Sequence, residues 1–185
     1  LSTNGLTIQE HAVNMIEKRV GERPDIRNLP VLRDPEMADQ EVLHQFARGR
    51  TLGVFQFESA GIRRLLRQVQ PDHFRDIVAV NALFRPGPLQ AGMADSYGAR
   101  KRGEEPIEIW HEALEPFLRH TYGLVIYQEQ VMEVVTALGD FTLGEADDIR
   151  RAMGKKDSTK LAPYRQQFIR KAESHGLTPS EAADV

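Results

Sequence analysis

The sequence predicts a mainly α-helical fold, a multi-helix domain with a few short extended segments. Apolar residues recur at helical spacing over most of the chain, and helix-start signals precede several of these stretches. Two short apolar runs, by contrast, have the composition of strands or extended segments. Of the 185 residues 41% are hydrophobic, which is enough to bury one core or two small lobes.

The first part of the chain predicts two helices and an extended segment. A helix is expected from Thr7 to about Val20, and a second is expected to open at Asp34-Pro35-Glu36 and to end at Gly49. Residues 51–57 alternate and predict a short strand or extended piece. The residues expected to face the core are Ile8, Ala12, Met15 and Ile16 on the first helix and Met37, Val42, Leu43 and Phe46 on the second.

The middle of the chain predicts a strongly amphipathic helix that begins near Ser59. A second, very apolar helix is expected from Asp72 to Phe84 and ends before Arg85-Pro86-Gly87-Pro88, because the residue before a proline avoids the α region. Residues 91–102 are expected to be helical as well. Two sets of cations are exposed by this arrangement, Arg63, Arg64 and Arg67 on the amphipathic helix and Arg100, Lys101 and Arg102 at the end of the later one.

The last part predicts an amphipathic piece over 110–118, an extended run over 124–127 and helices over 128–138 and 158–174. Between them, Thr142 and Glu145 form a capping box for another helix, whose apolar face is predicted to consist of Leu143, Ala146, Ile149 and Met153. A final helix is expected to start at Thr178-Pro179-Ser180-Glu181. The predicted core consists of Ile62, Leu65, Leu66, Ile77, Val78, Leu83, Val131, Val134, Val135, Leu138, Ile149 and Phe168.

Composition excludes several classes of site. The chain contains no cysteine, so disulfides, zinc-thiolate sites and cysteine nucleophiles are excluded, and no apolar run is long enough to span a membrane. These features predict a cytoplasmic protein without a membrane partner. The segment from His111 to Glu115 lacks the second histidine of a zinc helix, and Gly154-Lys155-Lys156 lacks the rest of a phosphate loop. No metal site is therefore predicted in the chain.

A local cluster of cations is the most informative feature, because the net charge of −3 does not indicate nucleic-acid binding by the chain as a whole. Arg150, Arg151, Lys155 and Lys156 project close together from one predicted helix end. Guanidinium groups bind phosphate oxygens bidentately, which favours a polyanion site. The alternative is a solvated helix end in which cations suit the helix dipole and Gly154 provides the C′ cap.

Several uncommon strings occur in order along the chain. They are GVFQFES over 53–59, ALFRPGPL over 82–89, TYGLVIYQEQVM over 121–132, and LGEAD followed by RRAMGKK within 143–156. Together they resemble the fingers region of the bacterial C-family replicative polymerases, the DNA polymerase III alpha subunits. The resemblance extends over nearly the whole chain and favours the phosphate-binding interpretation of the cation cluster.

The resemblance implies template-directed nucleotidyl transfer with Mg²⁺ held by palm aspartates. Two of these aspartates are expected far upstream and the third just before Leu1, so the 185-residue chain alone is predicted to be inactive. The implied partners are the template-primer, the incoming dNTP, the palm and thumb of the same chain, and replisome subunits such as the sliding clamp. The resemblance implies three segments. Residues 1–33 form a connector from the palm side, residues 34–156 form the core with the nucleotide-facing motifs, and residues 157–185 form a truncated helical part.

By motif, Arg150 and Arg151 match the paired arginines that resemble triphosphate ligands in the family. Lys155 and Lys156 are expected to extend their field, while Arg85, Tyr127 and Gln128 match motifs near the active cleft. The basic residues of the two exposed cation sets are the candidate DNA contacts. Two other functions remain open from the residues alone, a non-catalytic helical DNA-binding module and a purely structural or interaction domain.

Overall fold

The computed structural model describes residues 3–25, 28–29, 34 and 37–184, and within them all regular secondary structure is helical. The chain divides into two compact units, one up to Gly98 and one from Ala99. The boundary falls within a helix, Met93–Lys101. The mainly α-helical prediction is therefore confirmed.

The helices from the start of the chain up to and including this boundary helix are labelled α1 to α6. They are α1 (Thr3–Val20), α2 (Gln40–Ala47), α3 (Ala60–Val69), α4 (Phe74–Leu83), α5 (Pro86–Gln90) and α6 (Met93–Lys101). α3 packs against both α2 and α4. Ser59 caps α3 through its side chain, and the apolar stripe of Ile62, Leu65, Leu66 and Val69 on this helix is buried.

The second unit consists of helices and 3₁₀ turns after the boundary. They are a 3₁₀ turn at Glu112–Leu114, α7 (Glu115–Leu118), a 3₁₀ turn at Arg119–Thr121, α8 (Gln128–Gly139), α9 (Leu143–Gly154), α10 (Ser158–Ala172), a 3₁₀ turn at Glu173–His175 and α11 (Pro179–Asp184). α8, α9 and α10 pack against one another. Their shared core includes Leu114, Leu118, Val134, Leu138, Phe141, Ile149, Phe168 and Ala172.

The predicted extended segments are wrong as strands. Residues 51–57 form consecutive turns, in which Val54 N–H donates to the Thr51 carbonyl and Phe57 N–H donates to the Val54 carbonyl. Gly53 and Gln56 have positive φ angles of 82° and 66°, which a strand does not allow. The Thr51 hydroxyl closes the loop by donating to the Phe57 carbonyl at 2.6 Å. Residues 124–126 have no regular secondary structure. The described residues contain no strand, so neither segment has a strand to pair with.

Most of the predicted core is confirmed, and the errors lie on particular helix faces. Val78 is 43% exposed, because α4 instead buries Asp76, Ile77, Ala79, Val80 and Leu83. Val131 and Val135 are only half-buried on α8, where Val134 and Leu138 face the core. The remaining members of the predicted core are buried.

The first two helices differ from prediction in phase and start. Among residues 6–20 of α1, whose burial is described, Val13 alone is buried, whereas Ile8, Met15 and Ile16 are 53%, 71% and 45% exposed. α2 begins at Gln40, because Asp39 accepts hydrogen bonds from the backbone N–H groups of Glu41 and Val42. Pro35 and Glu36 of the predicted start lie outside the described residues. Met37 and Val42, both expected in the core, are 60% and 50% exposed.

None of the helices in the described part of the chain has the length and apolar character needed to cross a bilayer.

Candidate functional site

The cation cluster lies on α9, and a capping box determines where this helix starts. Glu145 N–H donates to Thr142 Oγ1 at 3.3 Å, and Thr142 N–H donates to Glu145 Oε2 at 2.8 Å. The backbone hydrogen bond from Thr142, with the hydroxyl bond beside it, lowers the pKa of the Glu145 carboxyl. The predicted capping box is confirmed, and it fixes the start of the helix by local chemistry alone.

The apolar face of α9 is narrower than predicted. Ala146, Ile149 and Ala152 are buried, whereas Leu143 and Met153 are 72% and 47% exposed. The neighbouring helices α8 and α10 pack over Ala146, Ile149 and Ala152, which are three residues apart. Leu143 and Met153, at the two ends of the predicted face, therefore point to solvent. The buried stripe still directs the arginines away from the core.

The two arginines share one carboxylate. Asp147 Oδ1 accepts hydrogen bonds from Arg150 Nε at 2.9 Å and from Arg150 Nη2 at 2.7 Å. Asp147 Oδ2 lies 2.6 Å from Arg151 Nη2. The hydrogen bond from Arg150 is the main cause that lowers the pKa of the Asp147 carboxyl, and the charges of both arginines add to it. The guanidinium groups are thus held side by side.

A residue of the preceding helix joins this pair. Arg150 Nη1 donates to Gln128 Oε1 at 2.8 Å, which links α9 to the first residue of α8. Three of the residues predicted as nucleotide contacts, Arg150, Arg151 and Gln128, therefore lie together in the structure. Tyr127, the N-cap residue of α8, precedes Gln128, and its ring stacks on His120 with centroids 6.3 Å apart and planes 10° from parallel.

Gln130, which follows Tyr127 and Gln128 in the same sequence motif, organises the loop in front of α8. Its Oε1 accepts hydrogen bonds from the N–H groups of Ile126 (2.8 Å) and Tyr127 (3.0 Å). Its Nε2 donates to the Phe117 carbonyl at 3.0 Å and to Thr121 Oγ1 at 2.8 Å. The side chain is 1% exposed and all its hydrogen-bonding capacity is used. Glutamine three residues after an N-cap is a sequence signal for this capping role.

The C-terminal end of α9 carries Lys155 and Lys156, both exposed. The helix continues through Gly154, and Lys155 is its C-cap, so the expectation that Gly154 provides the C′ cap is wrong. Lys156 occupies C′ and has a left-handed φ of 54°. Arg151 and Lys155 are four residues apart and lie on one side of the helix.

The other predicted cations have contacts within their own units. In the first unit, Arg85 Nε donates to the Ala82 carbonyl at 2.6 Å, and Arg63 Nε donates to the Gly49 carbonyl at 2.8 Å, near the end of α2. Arg64 and Arg67 are exposed on α3. The Arg67 guanidinium lies close to Gly49, because a Cβ added to this glycine would be 2.7 Å from Arg67 Nη1.

In the second unit, Arg100 is largely buried, with 12% of its side chain exposed. Its Nε donates to Glu105 Oε1 at 2.8 Å and its Nη1 donates to the Tyr122 carbonyl at 3.0 Å. Lys101 is half-buried, and the Arg102 guanidinium pairs with both oxygens of Glu104 and lowers the pKa of that carboxyl. Arg100 therefore has a structural role whether or not this segment meets DNA.

One group of potential metal ligands occurs in the described residues of the first unit. Ligand atoms of Asp72, His73 and Asp76 lie within 4.8 Å of one another. Asp76 is buried and accepts hydrogen bonds from the N–H groups of Asp72 and His73, at 3.1 Å each, and from the Tyr97 hydroxyl at 3.1 Å. This carboxylate caps the start of α4 and joins it to α6, which accounts for the group.

Comparison with known proteins identifies the family. Residues 5–176 match the family described as the bacterial DNA polymerase III alpha subunit finger domain. The chain belongs to this family. It is 43% identical over 194 aligned positions to the DNA polymerase III subunit alpha of Escherichia coli K12, covering 100% of this chain and 16% of that protein.

Two further relatives agree. The DNA polymerase III subunit alpha of Campylobacter jejuni is 40% identical over 185 residues, which is 100% of this chain and 15% of that protein. The subunit of Aquifex aeolicus is 44% identical over 162 residues, which is 88% of this chain and 13% of that protein. The finger-domain chain thus spans about one sixth or less of the curated relatives that it matches.

Proposed function

We propose that this chain is the fingers part of a DNA-directed DNA polymerase, a nucleotidyltransferase of bacterial chromosomal replication, and that Arg150 and Arg151 receive the triphosphate of the incoming dNTP. The observation that carries this proposal is the arginine pair bridged by Asp147 beside Gln128. Such a pair is preorganised, because packing fixes the helix and hydrogen bonds fix the guanidinium groups. Cations that are held side by side on a rigid helix stabilise negative charge that develops next to them.

The chemical role of the pair follows from its charge. In nucleotidyl transfer, negative charge develops on the pyrophosphate leaving group, and guanidinium groups aligned with the β- and γ-phosphates stabilise it. Lys155 and Lys156, exposed at the end of the same helix, add charge in this role. Gln128 accepts a hydrogen bond from Arg150 and orients it. Tyr127 in the second unit and Arg85 in the first unit are each proposed as nucleotide contacts.

The family's reaction uses metal-bound oxygens, and we assign Mg²⁺ to palm carboxylates rather than to this chain. The only ligand group found among the described residues, Asp72, His73 and Asp76, does not fit a catalytic Mg²⁺. That ion keeps several waters in an octahedral shell, whereas Asp76 is buried with its oxygens engaged by N–H and O–H donors. The arginines of this chain therefore bind and orient, and the metals supply Lewis acidity when bound elsewhere.

The template-primer, the palm and thumb, and replisome subunits such as the sliding clamp are proposed partners, in a cytoplasmic setting. Arg63, Arg64 and Arg67 and the segment Arg100, Lys101 and Arg102 are the proposed DNA contacts. The exposed residues of these sets, Arg64, Arg67 and Arg102, are better candidates than Arg63 and Arg100. The guanidinium groups of Arg63 and Arg100 donate hydrogen bonds to backbone carbonyls. The competing function is a helical DNA-binding module without a triphosphate site.

Binding of dATP, dAMP and a short duplex DNA to the purified 185-residue chain, by calorimetry at two salt concentrations, tests the proposal. We expect dATP to bind more tightly than dAMP, and we expect the Arg150→Ala, Arg151→Ala double variant to lose this preference. Arg119→Ala is the matched control, since Arg119 is exposed in the same unit and pairs with Glu115 away from α9. Equal binding of dATP and dAMP with tight duplex binding would support the DNA-binding module instead.

A further inference from the structure

The arginine pair already has an anion bound to it, and that anion belongs to the protein. Both oxygens of Asp147 are used, Oδ1 by Arg150 at 2.7 and 2.9 Å and Oδ2 by Arg151 at 2.6 Å. A carboxylate and a phosphate present similar oxygen acceptors to a guanidinium group, and arginine binds either of them in the same forked geometry. Asp147 therefore takes up N–H groups that a phosphate ligand would use.

Asp147 lies at the N-terminal end of a cationic stripe on α9. Asp147, Arg151 and Lys155 follow one another at four-residue spacing, so they lie along one stripe of the helix. The side chains of Asp147 and Arg150 are 30% and 29% exposed and that of Arg151 is 63% exposed. Water and a ligand can thus reach the bridge, which a fully buried ion pair would not permit.

The helix does not depend on this bridge for its existence. α9 has its own capping box at Thr142 and Glu145, and its buried stripe of Ala146, Ile149 and Ala152 packs against its neighbours. Ion pairs at three- and four-residue spacing on a partly exposed helix face contribute little to stability. The position of the carboxylate is therefore better explained by what it does to the arginines.

We propose that Asp147 is an internal competitor for the phosphate ligand, which holds Arg150 and Arg151 in the ligand-free chain and is displaced by a polyphosphate. This inference rests on the proposed triphosphate role of the pair. An anion must replace the Asp147 hydrogen bonds to bind. A polyphosphate does so while it also reaches Lys155 along the same stripe, whereas a single phosphate replaces one anion by another with little gain. Asp147 thereby selects for several linked phosphates.

The test uses inorganic tripolyphosphate and orthophosphate, with affinities measured by calorimetry on the 185-residue chain at constant ionic strength. Asp147→Asn removes the charge and keeps the shape of the side chain. Asp148→Asn is the matched control, because it makes the same change one residue along, where the carboxylate lies 3.6 Å from Lys160 Nζ and not on the arginines. We expect Asp147→Asn to tighten tripolyphosphate binding about 3- to 10-fold, the scale of two exposed ion pairs, and Asp148→Asn to change it by less than about 2-fold.

A second measurement follows Asp147 itself in the unmodified chain. The carbon-13 resonance of its carboxyl group should move to the position of an unpaired aspartate when tripolyphosphate is added, and should stay in place at the same concentration of orthophosphate. This measurement decides the matter if Asp147→Asn does not fold, which circular dichroism would reveal.

Three results would overturn the inference. Equal tripolyphosphate affinities of Asp147→Asn and Asp148→Asn, or weaker binding by Asp147→Asn, would show that Asp147 supports binding rather than competes with it. A carboxyl resonance that tripolyphosphate leaves unmoved would do the same. These outcomes leave the proposed function intact as long as the unmodified chain binds tripolyphosphate through the arginines. Failure of both the unmodified chain and Asp147→Asn to bind it would overturn both proposals.

Discussion

Asp157 donates its backbone N–H to the Ala152 carbonyl at 3.0 Å across the end of α9. Together with the bond from Lys156 N–H to the Met153 carbonyl, also 3.0 Å, this forms a Schellman motif. The C′ position of such a motif requires a left-handed residue, usually glycine, and Lys156 fills it with a φ of 54°. Lys156 thus occupies a position where glycine would be the more stable residue.

Lys156→Gly should therefore raise the free energy of unfolding by about 0.5–1 kcal/mol, because the left-handed conformation costs glycine nothing. The same variant should weaken tripolyphosphate binding through the lost charge. Urea unfolding and calorimetry would measure the two effects. Lys155→Gly is the control, since Lys155 has a right-handed φ of −87° and should gain no stability. A Lys156→Gly chain that is less stable would contradict the cost assigned to this backbone.

Arg150→Ala and Arg151→Ala should each reduce single-turnover nucleotide incorporation by the full-length polymerase on the order of 10²-fold or more, the usual scale for one preorganised donor. Primer-template affinity should change little. Arg150→Lys should also be impaired, because an ammonium group cannot reproduce the planar fork with which a guanidinium group binds phosphate oxygens.

Arg67→Ala, at an exposed position on α3, is the comparison for this pair. If Arg67 meets DNA, its variant should reduce the salt dependence of DNA binding by roughly one phosphate contact and leave incorporation at saturating DNA near normal. Normal turnover and normal nucleotide affinity in both Arg150→Ala and Arg151→Ala would remove the triphosphate role.

Gly139→Ala should destabilise the second unit by about 1–3 kcal/mol, because the added methyl group overpacks the core. A Cβ at this position would lie 2.7 Å from ring carbons of both Phe141 and Phe168. Gly144→Ala is the matched control within a neighbouring helix, where a Cβ would meet nothing within 4 Å. It should be neutral or stabilising by up to about 1 kcal/mol, the difference in helix propensity. Chemical unfolding of both variants would check this, and equal stabilities would contradict the described packing.

Gln130→Leu should lower the free energy of unfolding by about 2–4 kcal/mol, since it removes a buried amide that satisfies several buried polar groups. The Phe117 carbonyl and the Thr121 hydroxyl would lose this partner together with the loop N–H groups. Gln128→Leu, on the same helix but exposed, should change stability by less than about 0.5 kcal/mol. Thermal unfolding of the two variants would separate the structural glutamine from the one that contacts Arg150.

Acid should destabilise the chain partly through the capping boxes. The pKa of Glu145 and that of Glu181 are lowered by hydrogen bonds from Thr142 and Thr178, so their stabilisation is present above the ordinary glutamate pKa of about 4.3 and is lost as the pH falls below it. Burial raises the pKa of Glu133, which acts in the opposite direction. Unfolding between pH 6 and 3 should show a weaker pH dependence for Glu145→Gln than for the control Glu173→Gln, and equal slopes would contradict the cap.

The helix starts show how far the sequence alone determines this fold. Ser59, the Thr142 and Glu145 box, and the Thr178 and Glu181 box all cap helices where the sequence predicts them. These signals involve residues three positions apart, so their hydrogen bonds depend only on local backbone geometry. The buried face of α3 is equally predictable, because the large apolar residues of this helix all lie on one face.

What the tertiary structure decided is which apolar side of a helix finds a neighbour and which cations share a partner. Leu143 and Met153 match the helical period of α9 yet lie in solvent, while Ala152 is buried between neighbouring helices. The period of a helix is local, but the position of the helices that cover it depends on packing across the unit. Arg150 and Gln128 are 22 residues apart, and only the packing of α8 on α9 brings them within 2.8 Å.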